Sequence, residues 1–257
     1  MSFELLLELW PATLALAFAI TIVAGIIKGA IGFAMPLIMV SALSSFVDPK
    51  IAIAAIILPI VASNGWQTLR HGIAPAIQAS NEHWRYLVVV CFMIFVAAQL
   101  VPIIPRNIFY FVLGVPVVGL SLVQLFGLQL TISDRHKWWA EWVIAAISGT
   151  LGGLVGTWGP TTVLYLLAMK TEKMKQITVQ GVIYGLGSIT LLFAHIQSGV
   201  LNTKTVALSA ILVPFALAGM WVGFQLLNKL DQQRFRQITL LVLTIAGLNL
   251  LRKGLLG

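Results

Sequence analysis

The chain has 257 residues, of which 59% are hydrophobic and only 9% are charged. Soluble domains carry about 25% charged residues, so this composition excludes a soluble globular protein and points to an integral membrane protein. The net charge of +8 is no sign of nucleic acid, because the basic residues fall in short stretches between apolar runs, where they set topology.

In chain order, apolar runs fall at about 10–27, 31–46, 51–69, 84–102, 106–127, 138–155, 157–168, 177–197, 204–227 and 234–251. That is ten segments, five in an N-terminal repeat (1–127) and five in a C-terminal repeat (128–257) of one membrane domain. The first run is expected to be a retained span and not a cleaved leader, since Glu4 and Glu8 precede it and no Lys or Arg does. The single cysteine, Cys91, rules out an intrachain disulfide and a multi-cysteine metal cluster.

The first two runs are joined by GIIKGAIGFAMP at Gly25 to Pro36, and the first two runs of the second half by GTLGGLVGTWGP at Gly149 to Pro160. An offset of 124 superposes them as G-x-x-x-G-x-x-G-x-x-x-P. Gly costs a helix interior roughly 1 kcal/mol relative to Ala and Pro about 3, so each stretch predicts a broken helix. Interrupted segments at matching positions of two halves are the sequence pointer to a transporter binding site. Small residues four apart also let membrane helices approach closely, which is the alternative reading for either copy alone.

Several segments of these pairs fall short of the ~20 residues a span needs, so each pair is expected to be a hairpin that enters and leaves on one side. With the N-terminus outside, this places Lys28, Arg70, Arg85, Arg135, Lys137, Lys170, Lys173, Lys175, Lys229, Arg234 and Arg236 inside, 11 against 5 outside. Treating each pair as one crossing, with Lys28 left out at mid-membrane, gives 8 against 7. Five reversals per half make the halves inverted repeats, with the two Gly-rich breaks meeting at the centre. Lys28, facing Gly152 in the second copy, is expected to snorkel at the inner surface or to gate.

The same offset pairs Asp48 with Glu172, expected to cap the helices that follow, and His71 with His195, expected at segment boundaries. All eight acids fall at segment ends or in loops, which disfavours a cation as cargo and favours an anion. Its candidate partners are Gly29, Gly32 and Phe33 in the first break, and Gly153, Gly156, Thr157, Trp158 and Thr161 in the second. Asn64 and Gln67 follow on the next segment, with Gln180, Tyr184 and Ser188 on its counterpart. Residues 180, 184 and 188 share one helical face, which is expected to point inward.

G-x-x-x-G-x-x-G-F-x-x-P-L at Gly25 to Leu37, Asp48-Pro49 behind it, and the second copy ending Gly159-Pro160 resemble the sulfite exporter TauE/SafE family, also called the toluene-sulfonate uptake permeases. The resemblance spans nearly the whole chain. It implies a multi-pass carrier of the bacterial inner membrane for sulfite or organosulfonates such as sulfoacetate, in either direction. Thr157 in place of Phe33 and Thr161 in place of Leu37 make the second break the more polar.

The expected protein is therefore an all-α polytopic transporter, with the lipid bilayer and a small anion as its partners. It is not expected to be an enzyme or to need a cofactor or metal, since the four His are scattered with no acid beside them inside the membrane. A channel or a carrier for another anion is the alternative, and an intramembrane enzyme a remote one. Coupling is open between a proton, carried by the substrate or a His, and the membrane potential. Oligomeric state is likewise open, a homodimer included.

Overall fold

A computed structural model of the protein describes residues 11–70, 72–105, 137–156, 158–169 and 173–227, with scattered positions between 108 and 126 and between 241 and 255. The described elements are all helical: α1 (Pro11–Ile31), α2 (Met35–Leu43), α3 (Pro49–Leu69), α4 (Ile73–Glu82), α5 (Trp84–Ala98), α6 (Lys137–Val155), α7 (Gly159–Ala168), α8 (Lys173–Gln197) and α9 (Val206–Leu227). Among these, Pro11–Ala30, Pro49–Leu69, Thr178–Gln197 and Val206–Leu226 are long and apolar enough to cross a bilayer, and α4 with α5 would make a fifth span only as a pair bent by 86°. The expected segments at 106–127 and 234–251 lie largely outside the described residues.

Both Gly-rich stretches interrupt a helix, and they do so alike. The N–H of Gly32 closes on the Lys28 carbonyl at 2.7 Å, and that of Gly156 on the Gly152 carbonyl at 2.7 Å. Each glycine then turns into the left-handed region, φ 82° at Gly32 and 66° at Gly156, which costs a side-chain-bearing residue but not Gly. The chain restarts as a helix at Met35 and at Gly159. Pro36, near the start of α2, and Pro49, at the start of α3, sit where a missing N–H costs nothing. Asp48 caps α3 as expected, its Oδ1 accepting from the Lys50 N–H at 2.9 Å. Glu172 and His71 lie outside the described residues.

Helix α1 packs on α9 as α6 packs on α5; α9 also lies on α3 as α5 lies on α8, and α3 and α8 meet at the centre. Shifting by 124 residues exchanges the first two of these pairs, exchanges the next two, and maps the α3–α8 pair onto itself. The α1–α9 contact is glycine on backbone: a Cβ on Gly29 would strike the Met220 carbonyl, and one on Gly25 would lie 2.5 Å from the Ala216 oxygen. In the second half, a Cβ on Gly149 would lie 2.6 Å from the Val90 oxygen, and one on Gly153 would meet Ile94 and Ala97. Close approach of this kind drives helix association where lipid supplies no hydrophobic difference.

Pro59 inside α3 frees the Ala55 carbonyl of its usual donor. Ser209 on α9 satisfies it, its hydroxyl donating to Ala55 O at 3.2 Å while accepting from the Leu58 N–H at 3.0 Å. Inside a bilayer only a neighbouring helix is at hand for this repair. The α3–α8 contact is likewise polar to backbone: Thr68 donates to the Gly181 carbonyl at 2.6 Å, and Asn64 Nδ2 to the Tyr184 carbonyl at 3.1 Å.

The ten-residue helix α4 stands where the sequence suggested only a connection. Its Ile73 and Ile77 are exposed, as are Trp84 at the start of α5 and Trp138, Trp139 and Trp142 in α6. Exposed indoles at helix ends match the aromatic belt of a membrane surface.

Candidate functional site

Both breaks deliver residues to one cavity. Lys28, Phe33, Ala34 and Pro36 line it from the first break, Gly156, Trp158 and Gly159 from the second, and Asn64 of α3 and Tyr184 of α8 complete it. Its free volume is about 20 Å³, room for roughly one water molecule.

Lys28 stands at the centre of its chemistry. Snorkelling or gating was expected, and burial rules out the first, since the side chain is 2% exposed. Its Nζ donates to Asn64 Oδ1 at 2.5 Å and lies 5.7 Å from the centre of the Tyr184 ring. The reason is geometric: Lys28 is in the last turn of α1, beneath the break, and α3 and α8 close over it. Asn64 is held in turn by its own bond to the Tyr184 carbonyl, and the Tyr184 hydroxyl donates to the Gly159 carbonyl at 3.2 Å. The lysine is therefore tied by a chain of neutral groups from α1 through α3 and α8 to α7.

No carboxylate pairs with Lys28 among the described residues. The helix ends do not replace one. Two N-termini (α2, α7) and two C-termini (α1, α6) flank the break region, and ends worth about half a charge of each sign cancel to first order. The unit charge of Lys28 remains. A buried charge is costly unless paired, so the cavity is electrostatically incomplete without an anion.

Unpartnered donors adjoin it. Among the described residues, Trp158, 3% exposed, has no acceptor for its indole N–H, and neither polar atom of buried Gln67 has a partner. The Trp158 ring fits between helices because its neighbours lack side chains: a Cβ on Gly152 would lie 2.9 Å from it and one on Gly187 3.1 Å. Gln67 and Gln180 approach each other across Gly32, where a Cβ would lie 3.3 Å from Gln67 Nε2 and 3.2 Å from Gln180 Oε1. Ala34 adds strain, holding φ 77° with a side chain present, a cost of order 1–3 kcal/mol that clusters at binding sites.

Of the residues singled out from sequence, Phe33, Asn64, Gly156, Trp158 and Tyr184 line this cavity, and Gly32, Gln67 and Gln180 form a group beside it. Gly29 and Gly153 serve helix packing instead. Ser188 bonds the Gly185 carbonyl at 2.7 Å, one turn beyond Tyr184, and Thr161 belongs to a separate hydroxyl network with Ser148. Thr157 lies outside the described residues. The inward stripe is borne out, with Gln180, Tyr184 and Ser188 all buried.

Sequence reasoning missed Lys28 because Gly152 replaces it in the second copy. The available signal was a lone charge one turn before a break in an otherwise apolar 21-residue helix. His195 stands in the last turn of α8, at the segment boundary expected, and is fully buried there.

The sequence model of the sulfite exporter TauE/SafE family matches residues 17–250. The chain belongs to that family. No curated protein and no solved structure matches it. The matched span runs from α1 past α9, so it contains both breaks and every residue of the cavity. Membership of a transporter family agrees with an integral membrane protein that handles sulfur-containing anions.

Proposed function

We propose that the protein is a secondary carrier of the inner membrane which moves sulfite or a small organosulfonate by alternating access. The single observation carrying this reading is the buried Lys28 ammonium, which has no carboxylate beside it among the described residues. An oxyanion would pair with it and accept from the Trp158 indole and the Gln67 amide, satisfying three donors with three oxygens. Arrival of the anion removes the cost of an unpaired buried charge, so binding and occlusion favour one another.

The halves act as inverted repeats around the α3–α8 contact. What supports this is the contact pattern, which the 124-residue shift maps onto itself, together with the like geometry of the two breaks. The excess of Lys and Arg on one side supports an N-terminus outside. A cavity that holds about one water must widen before sulfite enters, which fits an occluded conformation between two open ones.

The experiment is thermal stabilisation of the detergent-purified protein by sulfite, sulfoacetate, taurine, sulfate and size-matched carboxylates. A ligand of the folded state at a hundred times its dissociation constant adds about 2.7 kcal/mol. Selective stabilisation by sulfite or one sulfonate supports the reading; stabilisation only by carboxylates or added metal cations overturns its cargo.

A further inference from the structure

A second buried polar cluster lies along α5, α6 and α7, away from the anion cavity. Glu141, in the second turn of α6, is 6% exposed, although its position in sequence suggested a segment end in contact with water. The Tyr165 hydroxyl donates to its Oε1 at 3.3 Å and meets His83 Nδ1 at 3.3 Å. Tyr165 stacks on Tyr86 with ring centres 4.8 Å apart. The Tyr86 hydroxyl in turn is hydrogen-bonded to Ser148 at 2.8 Å and Thr162 at 3.1 Å. Ser148 donates to Thr161 at 2.6 Å, and Thr161 and Thr162 both donate to the Trp158 carbonyl, at 3.0 and 2.8 Å.

We infer that Glu141, Tyr165 and His83 form a proton-binding site whose occupancy is coupled to anion movement through α7. This rests on the carrier reading above. With Glu141 ionised, Tyr165 gives its hydrogen bond to the carboxylate and His83 Nδ1–H can donate to Tyr165. A proton added to Glu141 reverses the order: the carboxylic acid donates to Tyr165, whose hydroxyl turns to an unprotonated His83 Nδ1. His83 stays neutral throughout, its ring proton passing from Nδ1 to Nε2 by exchange with water, so the site gains one proton net, the one on Glu141.

The coupling path is short. Tyr165 lies seven residues along α7 from Trp158, about 10 Å of helix, and Trp158 and Gly159 line the anion cavity. The hydroxyls of Tyr86, Ser148, Thr161 and Thr162 pin that helix to α5 and α6. A change of partner at Tyr165 therefore bears on the end of α7 that meets the anion. Coupling of this kind is reciprocal, so anion binding must alter proton affinity by the same factor. Among the described side chains the facing groups are His83, which immediately precedes α5, Tyr86 on α5 and Tyr165 on α7; α2 carries none, and Lys137 stands one turn before Glu141 in the sequence of α6. On α8, Lys175 is ion-paired with Glu82, while Tyr184 and His195 bond Gly159 and Ser198.

The test uses proteoliposomes of the full chain with [³⁵S]sulfite, comparing the wild type with Glu141→Gln under an imposed pH gradient and in sulfite counterflow without one. One pH unit is a tenfold proton ratio, so one-for-one coupling changes wild-type accumulation by up to about tenfold. The sulfite anion's own titration is common to both proteins and cancels in the comparison. The expected result is that Glu141→Gln loses the wild-type response to the gradient and retains counterflow. A response equal to wild type overturns the proposal. If Glu141→Gln does not fold, Tyr165→Phe keeps the ring stacked on Tyr86 and removes only the hydroxyl; an unaltered gradient response there overturns it equally. Wild-type counterflow with no gradient response sinks the proton site alone, whereas absence of counterflow sinks the carrier reading and the proton site with it.

Discussion

Replacing Lys28 by Met removes the only charge among the described residues that line the anion cavity and keeps most of the side-chain length. An anion oxygen about 4 Å from Nζ interacts by about 4 kcal/mol at the effective dielectric near 20 that suits protein sites. Desolvation of the anion offsets part of this, leaving about 2–4 kcal/mol, or roughly a 30- to 700-fold rise in dissociation constant. Stability should move differently. Removing an unpaired buried cation is favourable, while Asn64 Oδ1 loses the donor now 2.5 Å away, at a cost of about 1–3 kcal/mol. The melting temperature of the ligand-free variant is therefore expected within a few degrees of wild type. Calorimetric titration with sulfite on both proteins, each checked for monodisperse behaviour, measures the difference. A Lys28→Met protein that melts normally and binds within about threefold of wild type would refute the assignment of Lys28 as the anion's partner.

Gly29→Ala should lower the melting temperature by several degrees, because overpacking costs typically 1–3 kcal/mol and the new methyl meets the Met220 backbone. Gly65→Ala, where a Cβ would meet nothing within 4 Å, should be neutral or stabilising by up to about 1 kcal/mol; equal losses in both would contradict the packing described. Gln67→Leu should raise the melting point of the ligand-free protein, by relieving two unpartnered buried atoms, and weaken sulfite binding in the same titration. Glu82→Gln breaks an ion pair with Lys175 whose side chains are 35% and 51% exposed, so its melt should differ by less than about 1 kcal/mol, even at low salt.

The legible parts of this fold were those with local causes. Three glycines and a proline in twelve residues fix where α1 and α6 stop, and the Asp48-Pro49 pair fixes where α3 starts. A spacing of four put Gln180, Tyr184 and Ser188 on a common buried face. What was not legible depended on distant partners. Lys28 is buried by Asn64, 36 positions on, and by Tyr184, so nothing beside it in sequence distinguishes it from a snorkelling lysine. Glu141 shares a face of α6 with Ser148, seven residues on, but its burial depends on Tyr165 of α7. Helix α4 was missed because IAPAIQASNE is weakly apolar and holds a proline, which reads as a connection. Gly29 and Gly153 carried the right residue type for either a site or a helix contact, and only the position of Met220 and of Ile94 decides between them.

The most direct test of the central claim is [³⁵S]sulfite counterflow in proteoliposomes preloaded with unlabelled sulfite, run beside Lys28→Met. The account predicts transient label accumulation above the outside concentration in the wild type, suppressed by external sulfite or sulfonate but not by matched carboxylates, and lost in Lys28→Met. Equal accumulation in both proteins would contradict it, as would a wild type that takes up no label.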